Sequence, residues 1–571
     1  MSRFSFKRHD HMRAQANEVD QFMKMAPDDG KNKNPKTMAI SASEISSHAT
    51  IDPTCKSIKS YGVGGIFEMH QANLKQEDRQ PCTLVLVDLK RFENSFKSKR
   101  KEAVLNMIRS EPLNLMTIKH SRFIQILHGL EETSENITFP IECITCCLRN
   151  LILNKQQLTE LEIVSGIYQI TEGLKHLHLS IGYIHCNISP NAILLTSDLQ
   201  WKIASLNFLE KINPPTIRSH DQFKGFDPKR SRLLQPDLDY IAPELQIEHS
   251  LTDLADMYSL GLVICSIYND ANSLVKALCD VEIYKKEINE LPKKFTRISD
   301  RLPKLLRDPV EKMISRDIDR RPHSNNFLCL KVFHEETLTS FITLINLENE
   351  LMKKRKEFFN KFATQIKEYD VDFIHKRILP VLKRWCFSSN ELTPFVVPSI
   401  ITLITLSNKQ DYQVNLESTF KKIIKSYQDP QIGFVLLDLL QFFITRLTEE
   451  EVRKYIIEAL LNCIKSDSQK SALLLERTAK CIAYNNFSDL HRFVYEKFKE
   501  ILTDGKVNSS ETKANTIRCL RAFVPLFDSE FIINEVLPLL SSVCSENSSI
   551  LLEVLSESTG FRPFLHTIDH I

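Results

Sequence analysis

YIHCNISPNAILL, Tyr183 to Leu195, is followed within a few residues by WKIASLN, Trp201 to Asn207. The first stretch opens on an apolar pair, Tyr183 and Ile184, and runs into a polar turn. Ile193 to Leu195 reads as a short strand, Ser197 and Asp198 as a hairpin turn, and Trp201 to Ala204 as a second strand.

That layout is similar to the catalytic loop and metal-binding loop of protein kinases: H-R-D-L-x-x-x-N, then strand, turn, strand and D-F-G. His185 stands at the His, but Cys186 replaces the Arg and Asn187 replaces the Asp that serves as base. Ala192 replaces the metal-binding Asn, and Ser205, Leu206 and Asn207 stand where D-F-G is expected. The exchanges matter chemically, because phosphoryl transfer is mostly positioning plus neutralisation of phosphate charge. A neutral amide such as Asn187 is a very poor proton acceptor, and a positioned acid–base group is worth about 10²–10⁴ in rate. Mg²⁺ takes hard oxygen ligands, usually including carboxylate. Ala192 offers no side-chain oxygen and Ser205 one neutral hydroxyl, so no magnesium site is expected.

Downstream, the frame is kept. Ala242, Pro243 and Glu244 form A-P-E. DMYSLG, Asp256 to Gly261, matches D-x-W-S-x-G, and DRRP supplies Arg321, expected to pair with Glu244. Order and spacing of these motifs point to a bilobal, protein-kinase-like α+β domain. His185, Glu244, Asp256 and Arg321 are structural residues in this reading.

Upstream, SIKSYGVGGIFEMHQA reads as strand, glycine turn, strand, with Gly62 and Gly64 at the first two glycines of G-x-G-x-x-G and Phe67 at the third. Val85 falls where the phosphate-pairing Lys belongs. Its helix partner by spacing is Glu111; Pro112 follows, poor for a helix interior. Without a cation opposite, Glu111 is expected to face solvent. The hinge between lobes falls near Ile141 to Ile144, so Gly62, Gly64, Glu142 and Ile144 are the candidate nucleotide contacts. ATP would bind weakly at most, and no cofactor is required.

The 571 residues suggest several domains. Hydrophobic content of 42% with 33 Phe suits large cores, and only 13 Gly argues for helices. A net charge of +2 gives no global field towards nucleic acid or membrane. The 14 scattered cysteines read as reduced thiols, and Cys143, Cys146 and Cys147 lack the second pair that a zinc site needs. MSRFSFKRHDHMRAQ has no apolar core of a signal peptide, and no apolar run approaches about 20 residues. A cytoplasmic protein is expected.

Residues 1–50 are polar and turn-rich and read as disordered. Residues 51–330 hold the kinase-like domain. The loop from Ser205 to Glu244 carries Arg218, Lys224, Lys229, Arg230 and Arg232, a solvated stretch that could also dock an acidic partner. The basic run Lys97, Lys99, Arg100 and Lys101 reads as a solvated helix start. Residues 331–571 are helical throughout. ILPVL at Ile378 to Leu382 is echoed by VLPLL at Val536 to Leu540, about four periods of ~40 residues, the spacing of HEAT repeats. Stacked helix pairs would make a solenoid with an extended binding face and no catalytic centre.

The chain resembles the SCY-like pseudokinase family, most closely its clathrin-coated-vesicle branch. The residues that carry the likeness are Phe67 in the glycine turn, Val85, the H-x-N-x-x-P loop of His185, Asn187 and Pro190, the W-K-I strand at Trp201, PDLDYIAPE, RILPVL and NELTPFVVPSIITL. The resemblance implies a catalytically inactive scaffold between trans-Golgi network and endosomes. Its partners would be coat or adaptor proteins bound through the solenoid, with only peripheral membrane contact and possible residence on Golgi, endosomal or coated-vesicle membranes. Family members continue beyond the repeats in a tail with coat-binding motifs; this sequence runs to Ile571. The alternative is an atypical Ser/Thr kinase whose lost acids are replaced elsewhere, for example by Asp198 or Asp221.

Overall fold

The computed structural model describes residues 49–51, 59–62, 65–75, 80–90, 98–154, 158–197, 200–212, 225–388, 391–426, 450, 490–503, 513, 516–517, 520–521 and 523–546. The chain divides into two compact units, residues 1–345 and 346–571. The first is a kinase-like pair of lobes; the described residues of the second are mainly helical.

The small lobe is a six-stranded antiparallel sheet. Strands β1 (Ala49–Ile51) and β2 (Lys59–Tyr61) both pair with β3 (Phe67–Leu74). Next come β4 (Pro81–Asp88), β6 (Asn136–Ile141) and, at the far edge, β5 (Glu131–Glu132). Period-2 alternation divides β4 between two faces. Val85 and Val87 join the main core with Met69 and Phe139, while Cys82 and Leu84 join a smaller cluster with Ala72 and Leu74. Strand β1 begins inside the stretch read as a disordered N-terminal segment, because Ala49 is buried in that smaller cluster. Helix α1 (Ser98–Thr117) runs straight through Pro112.

The large lobe is built around α2 (Glu160–Lys175), which opens on a capping box. Thr159 N donates to Glu162 Oε2 at 2.7 Å, and Glu162 N donates to Thr159 Oγ1 at 3.3 Å. Gly166 and Gly173 let α2 lie close against Trp201 and Ile203; a Cβ at Gly166 would sit 2.2 Å from the indole ring. Strands β9 (Ile193–Thr196) and β10 (Trp201–Ile203) form a hairpin, with β7 (Ile144–Cys147) on its other edge. The β9–β10 hairpin ties the Tyr183–Leu195 and Trp201–Asn207 segments side by side, and β8 (Tyr183–Ile184) pairs with β11 (Glu210–Lys211) just beyond them. Helix α3 (Leu254–Ile267) is buried nearly throughout. The first unit extends past the 330/331 boundary drawn from sequence: the helix Glu336–Asn346 packs on it through Leu338 and Ile342.

In the second unit one helix pattern recurs. Asp370, Asn408 and Asp528 each accept a backbone N–H at the start of a short helical turn. One wider π turn follows (Ile374–Ile378, Tyr412–Leu416, Ile532–Val536), then a regular helix (Leu379–Cys386, Glu417–Ser426, Leu537–Glu546). Pro380 and Pro538 sit in the first turn after two of these widenings. Proline lacks the N–H that would bond the carbonyl four residues back, which suits a widened turn just before it, but Tyr412–Leu416 widens with no proline following, so proline is not the cause common to all three. The starts are separated by about 40 residues or a multiple of it. The helix expected from Glu449 to Ile464 lies outside the described residues apart from 450. No helix among the described residues is long and apolar enough to cross a membrane.

Candidate functional site

The loop after β8 is fixed by one buried carboxylate. Asp256 of α3 accepts from His185 N at 2.7 Å and Cys186 N at 2.9 Å, and lies 2.8 Å from His178 Nε2. Asn187 N donates to His185 Nδ1 at 3.2 Å, which leaves Nε2–H to donate to the Ala204 carbonyl at 2.9 Å. Burial holds the His185 imidazole below its ordinary range, against the pull of Asp256. Cys186 has a left-handed backbone, φ 60°, a strained state for a residue with a side chain.

A second anchor lies below. Arg321 donates to both Glu244 oxygens, at 2.6 and 3.0 Å, and both side chains are buried. Its other donors reach the Ser315 and Leu254 carbonyls, and its guanidinium stacks 4.7 Å from the Tyr258 ring centre. Each of the three guanidinium nitrogens has a partner, which helps make a buried ion pair tolerable.

The cleft positions are different. Val85 is fully buried, paired across the sheet with Met69 and Phe139. Tyr61 and Phe67, flanking the glycine turn, stack at 4.8 Å, and Phe67 meets Phe139 edge-on at 6.2 Å. Gly62, with φ 78°, has its N–H on the Asn191 carbonyl at 3.3 Å, joining the glycine turn directly to the loop below. Gly64 lies outside the described residues.

Asn187 is buried, and its Oδ1 accepts from Asp237 N at 3.1 Å; the amide holds the following segment. Ala192 is fully buried and contributes only backbone bonds, to Ser189 and Ala204. Ser205 is buried with φ 63°, and its hydroxyl has no partner. A methyl group, an amide and a buried neutral hydroxyl do not suit Mg²⁺, which demands hard oxygen donors in octahedral array.

At the hinge, Glu142 N donates to Gln125 O, and its carboxylate holds Lys202 Nζ at 2.7 and 2.6 Å. Ile144 N donates to Thr83 Oγ1 at 2.8 Å. Both hinge amides are therefore used within the protein.

One expectation is overturned. Glu111 does not face solvent; it is fully buried. Its Oε1 accepts from Ser205 N at 2.8 Å, and the amides of Leu206 and Asn207 also point at it. Asn114, one turn on, donates to the Leu206 carbonyl at 2.7 Å. Backbone amides replace the missing lysine as partners, and Pro112 does not break the helix that delivers Glu111 to them.

Sequence reasoning also missed the Lys202–Glu142 pair, although Lys202 between Trp201 and Ile203 in a buried strand was a signal, since a buried lysine needs a partner. Cys147 is buried, and Cys143 and Cys146 are half-buried. Of the cations between Ser205 and Glu244, Lys229 and Arg230 are exposed and Arg232 is half-buried; Arg218 and Lys224 lie outside the described residues, as do Asp198 and Asp221.

Residues 80–333 match the family model of the protein kinase domain. Over 502 residues the chain is 22% identical to SCY1-like protein 2 of Homo sapiens, covering 84% of this chain and 53% of that protein. It is 24% identical over 521 residues to the protein kinase-like protein SCY1 of Saccharomyces cerevisiae, covering 83% and 64%. The chain is thus similar to SCY1-like kinase-like proteins over more than four fifths of its length. The chain spans about half the length of the human relative and under two thirds of the yeast one. A Schizosaccharomyces pombe protein kinase domain-containing protein is 21% identical over 492 residues, 79% of this chain and 63% of that one.

Proposed function

We propose that this chain is a non-catalytic, kinase-like scaffold of the SCY-like family. The observation that supports it best is the character of the cleft. Val85, Tyr61 and Phe67 make an aromatic and aliphatic wall where a cation would meet phosphates. Gly62 is hydrogen-bonded across to Asn191, and Glu111 is committed to backbone amides. Nucleotide would have to displace these contacts, so ATP binding is at most weak in this reading. The large-lobe anchors at Asp256 and Arg321 keep the domain folded without chemistry.

We read the recurring helix of the second unit as HEAT-like, forming a solenoid that gathers partner proteins. By family resemblance, those partners are coat or adaptor components in clathrin-dependent traffic between trans-Golgi network and endosomes, and contact with membranes is peripheral.

The test is phosphoryl transfer by the full chain with ATP and Mg²⁺ or Mn²⁺, using peptide substrates and autophosphorylation as readouts. We expect none above the rate of heat-inactivated protein. Transfer that disappears on substituting Asp198 or Asp221 would establish the atypical-kinase alternative instead.

A further inference from the structure

The recurring helix of the second unit carries a charge pattern that the copy beginning at Asp528 lacks. Aligned on the capping residues Asp370, Asn408 and Asp528, the three described copies place Lys383 and Arg384 level with Lys421 and Lys422, and level with Ser541 and Ser542. The basic pair therefore belongs to two neighbouring copies and not to the repeat as such. Lys383 and Lys421 are half-buried while Arg384 and Lys422 are exposed, so the two pairs face alike. The two copies touch here. Lys383 Nζ donates to the Asn415 carbonyl at 2.8 Å, and Lys422 Nζ lies 4.2 Å from the ring centre of Phe387, just past the end of the first helix. Glu417 holds Lys421 at 2.5 Å, and Glu348 lies 3.4 Å from Arg384. Among the described residues, no carboxylate is within ion-pair distance of Lys383 or Lys422. A ring face attracts a cation without cancelling its charge. Burial holds the Lys383 ammonium below its ordinary range, a cost that an arriving anion would offset. Residues 346–388 carry ten Lys and Arg against six Asp and Glu, so the local field also favours an anion.

We propose that Lys383–Arg384 and Lys421–Lys422 form a two-rung cationic ladder that binds an extended acidic segment of a partner protein. Packed helices lie ~8–10 Å apart. A polyproline II segment has three residues per turn and rises ~3.1 Å per residue, so acidic side chains at i and i+3 share a face about 9 Å apart. A segment of the form D/E-x-x-D/E therefore meets both rungs, with Phe387 between them as an apolar rest. That fixed spacing favours a peptide over an anionic lipid surface, whose head groups rearrange freely. The ladder rests on the scaffold reading above in one respect, that stacked repeats of the second unit gather proteins.

The experiment uses the full-length chain and two ladder variants, Lys383→Ser/Arg384→Ser and Lys421→Ser/Lys422→Ser, which install the residue type of the copy at Asp528. Lys353→Ser/Lys354→Ser removes an equal exposed charge elsewhere in the unit. The probes are a short labelled proline-rich peptide with Glu at every third position, a peptide of the same composition with its Glu residues contiguous, and vesicles of phosphatidylserine and phosphatidylcholine. By fluorescence anisotropy we expect the spaced peptide to bind the parent better than the contiguous one does. Either ladder variant should weaken it about tenfold, and the Lys353/Lys354 variant by no more than about twofold. No binding, equal binding of the two peptides, or an equal loss in the Lys353/Lys354 variant overturns the ladder. Binding of the vesicles without the spaced peptide overturns it too. An amine-reactive cross-linker spanning about 10 Å separates two kinds of failure. Lys383 joined to Lys421 or Lys422 with no peptide bound sinks the ladder and leaves the stacked repeats standing, whereas the absence of that cross-link removes both.

Discussion

Two regions of the first unit spend buried charge in opposite ways. In the large lobe, Asp256, Glu244 and Arg321 are buried with nearly every polar atom engaged: backbone amides, His178, a bidentate carboxylate, two carbonyls. In the cleft, the lysine position is Val85, the metal position is Ala192, and the carboxyl at the helix-partner position, Glu111, is buried against main-chain amides. The first arrangement can be kept for stability alone. The second fits the proposed non-catalytic reading, since a cleft that handled phosphate would need cations facing it. The contrast teaches that a fold can keep its charged anchors and lose its charged site independently, because the two sets share almost no residues.

The largest effect should come from breaking the better-satisfied side. Arg321→Ala leaves Glu244 buried and unpaired, which typically costs about 3–5 kcal/mol. We expect a marked drop in the midpoint of the large-lobe transition in chemical denaturation. A midpoint within error of the parent would mean that the pair is incidental, and the contrast with the cleft would collapse.

A smaller loss is expected at the glycine turn. Gly62→Ala places a Cβ 2.9 Å from the Phe67 ring and asks alanine to hold φ near 78°. The left-handed state alone costs roughly 1–2 kcal/mol for a residue with a side chain. Calorimetry of the full chain measures it. If the variant is as stable as the parent, the turn is not held on Asn191, and the closed cleft loses one of its supports.

Legibility in the sequence followed the same divide. The anchors could be read because each needs a particular side chain at a fixed spacing: His185, the A-P-E glutamate, the aspartate of DMYSLG, the arginine of DRRP. The fold class followed from them, and the matches over residues 80–333 and to SCY1-like proteins agree. Glu111 was misread because its partners are main-chain amides, which leave no trace in residue types, and because Pro112 argued against the helix. The use of Ile144 N by Thr83 was hidden for a related reason: a threonine in a buried strand reads as a β-former, not as a donor or acceptor for a hinge. Phe67 was visible as an exchange for glycine, but its stacking on Tyr61 depends on strand register, which the letters do not fix.

The smallest expected effect isolates burial itself. Arg109 and Glu132 on the small lobe are also a bidentate pair, through Nε and Nη2 rather than the two Nη atoms of Arg321, with N···O distances of 2.9 and 2.7 Å. They differ in setting: the Arg109 and Glu132 side chains are 29% and 34% exposed. Arg109 also bonds Glu102 and Asn106, so it sits in a small surface network. The hydrogen bond from Arg109 holds the Glu132 carboxyl below its usual range. A depressed carboxylate contributes stability above its ordinary pKa and loses it as pH falls through the folded-state value. Solvent and salt screen such a pair, so Arg109→Ala should cost no more than about 1 kcal/mol at neutral pH. That cost should shrink in 1 M salt and fade as pH falls below the ordinary carboxylate range, whereas the Arg321→Ala cost should barely respond to salt. Equal costs for the two variants would show that burial is not what separates them, and would move the explanation to the strain each lobe carries.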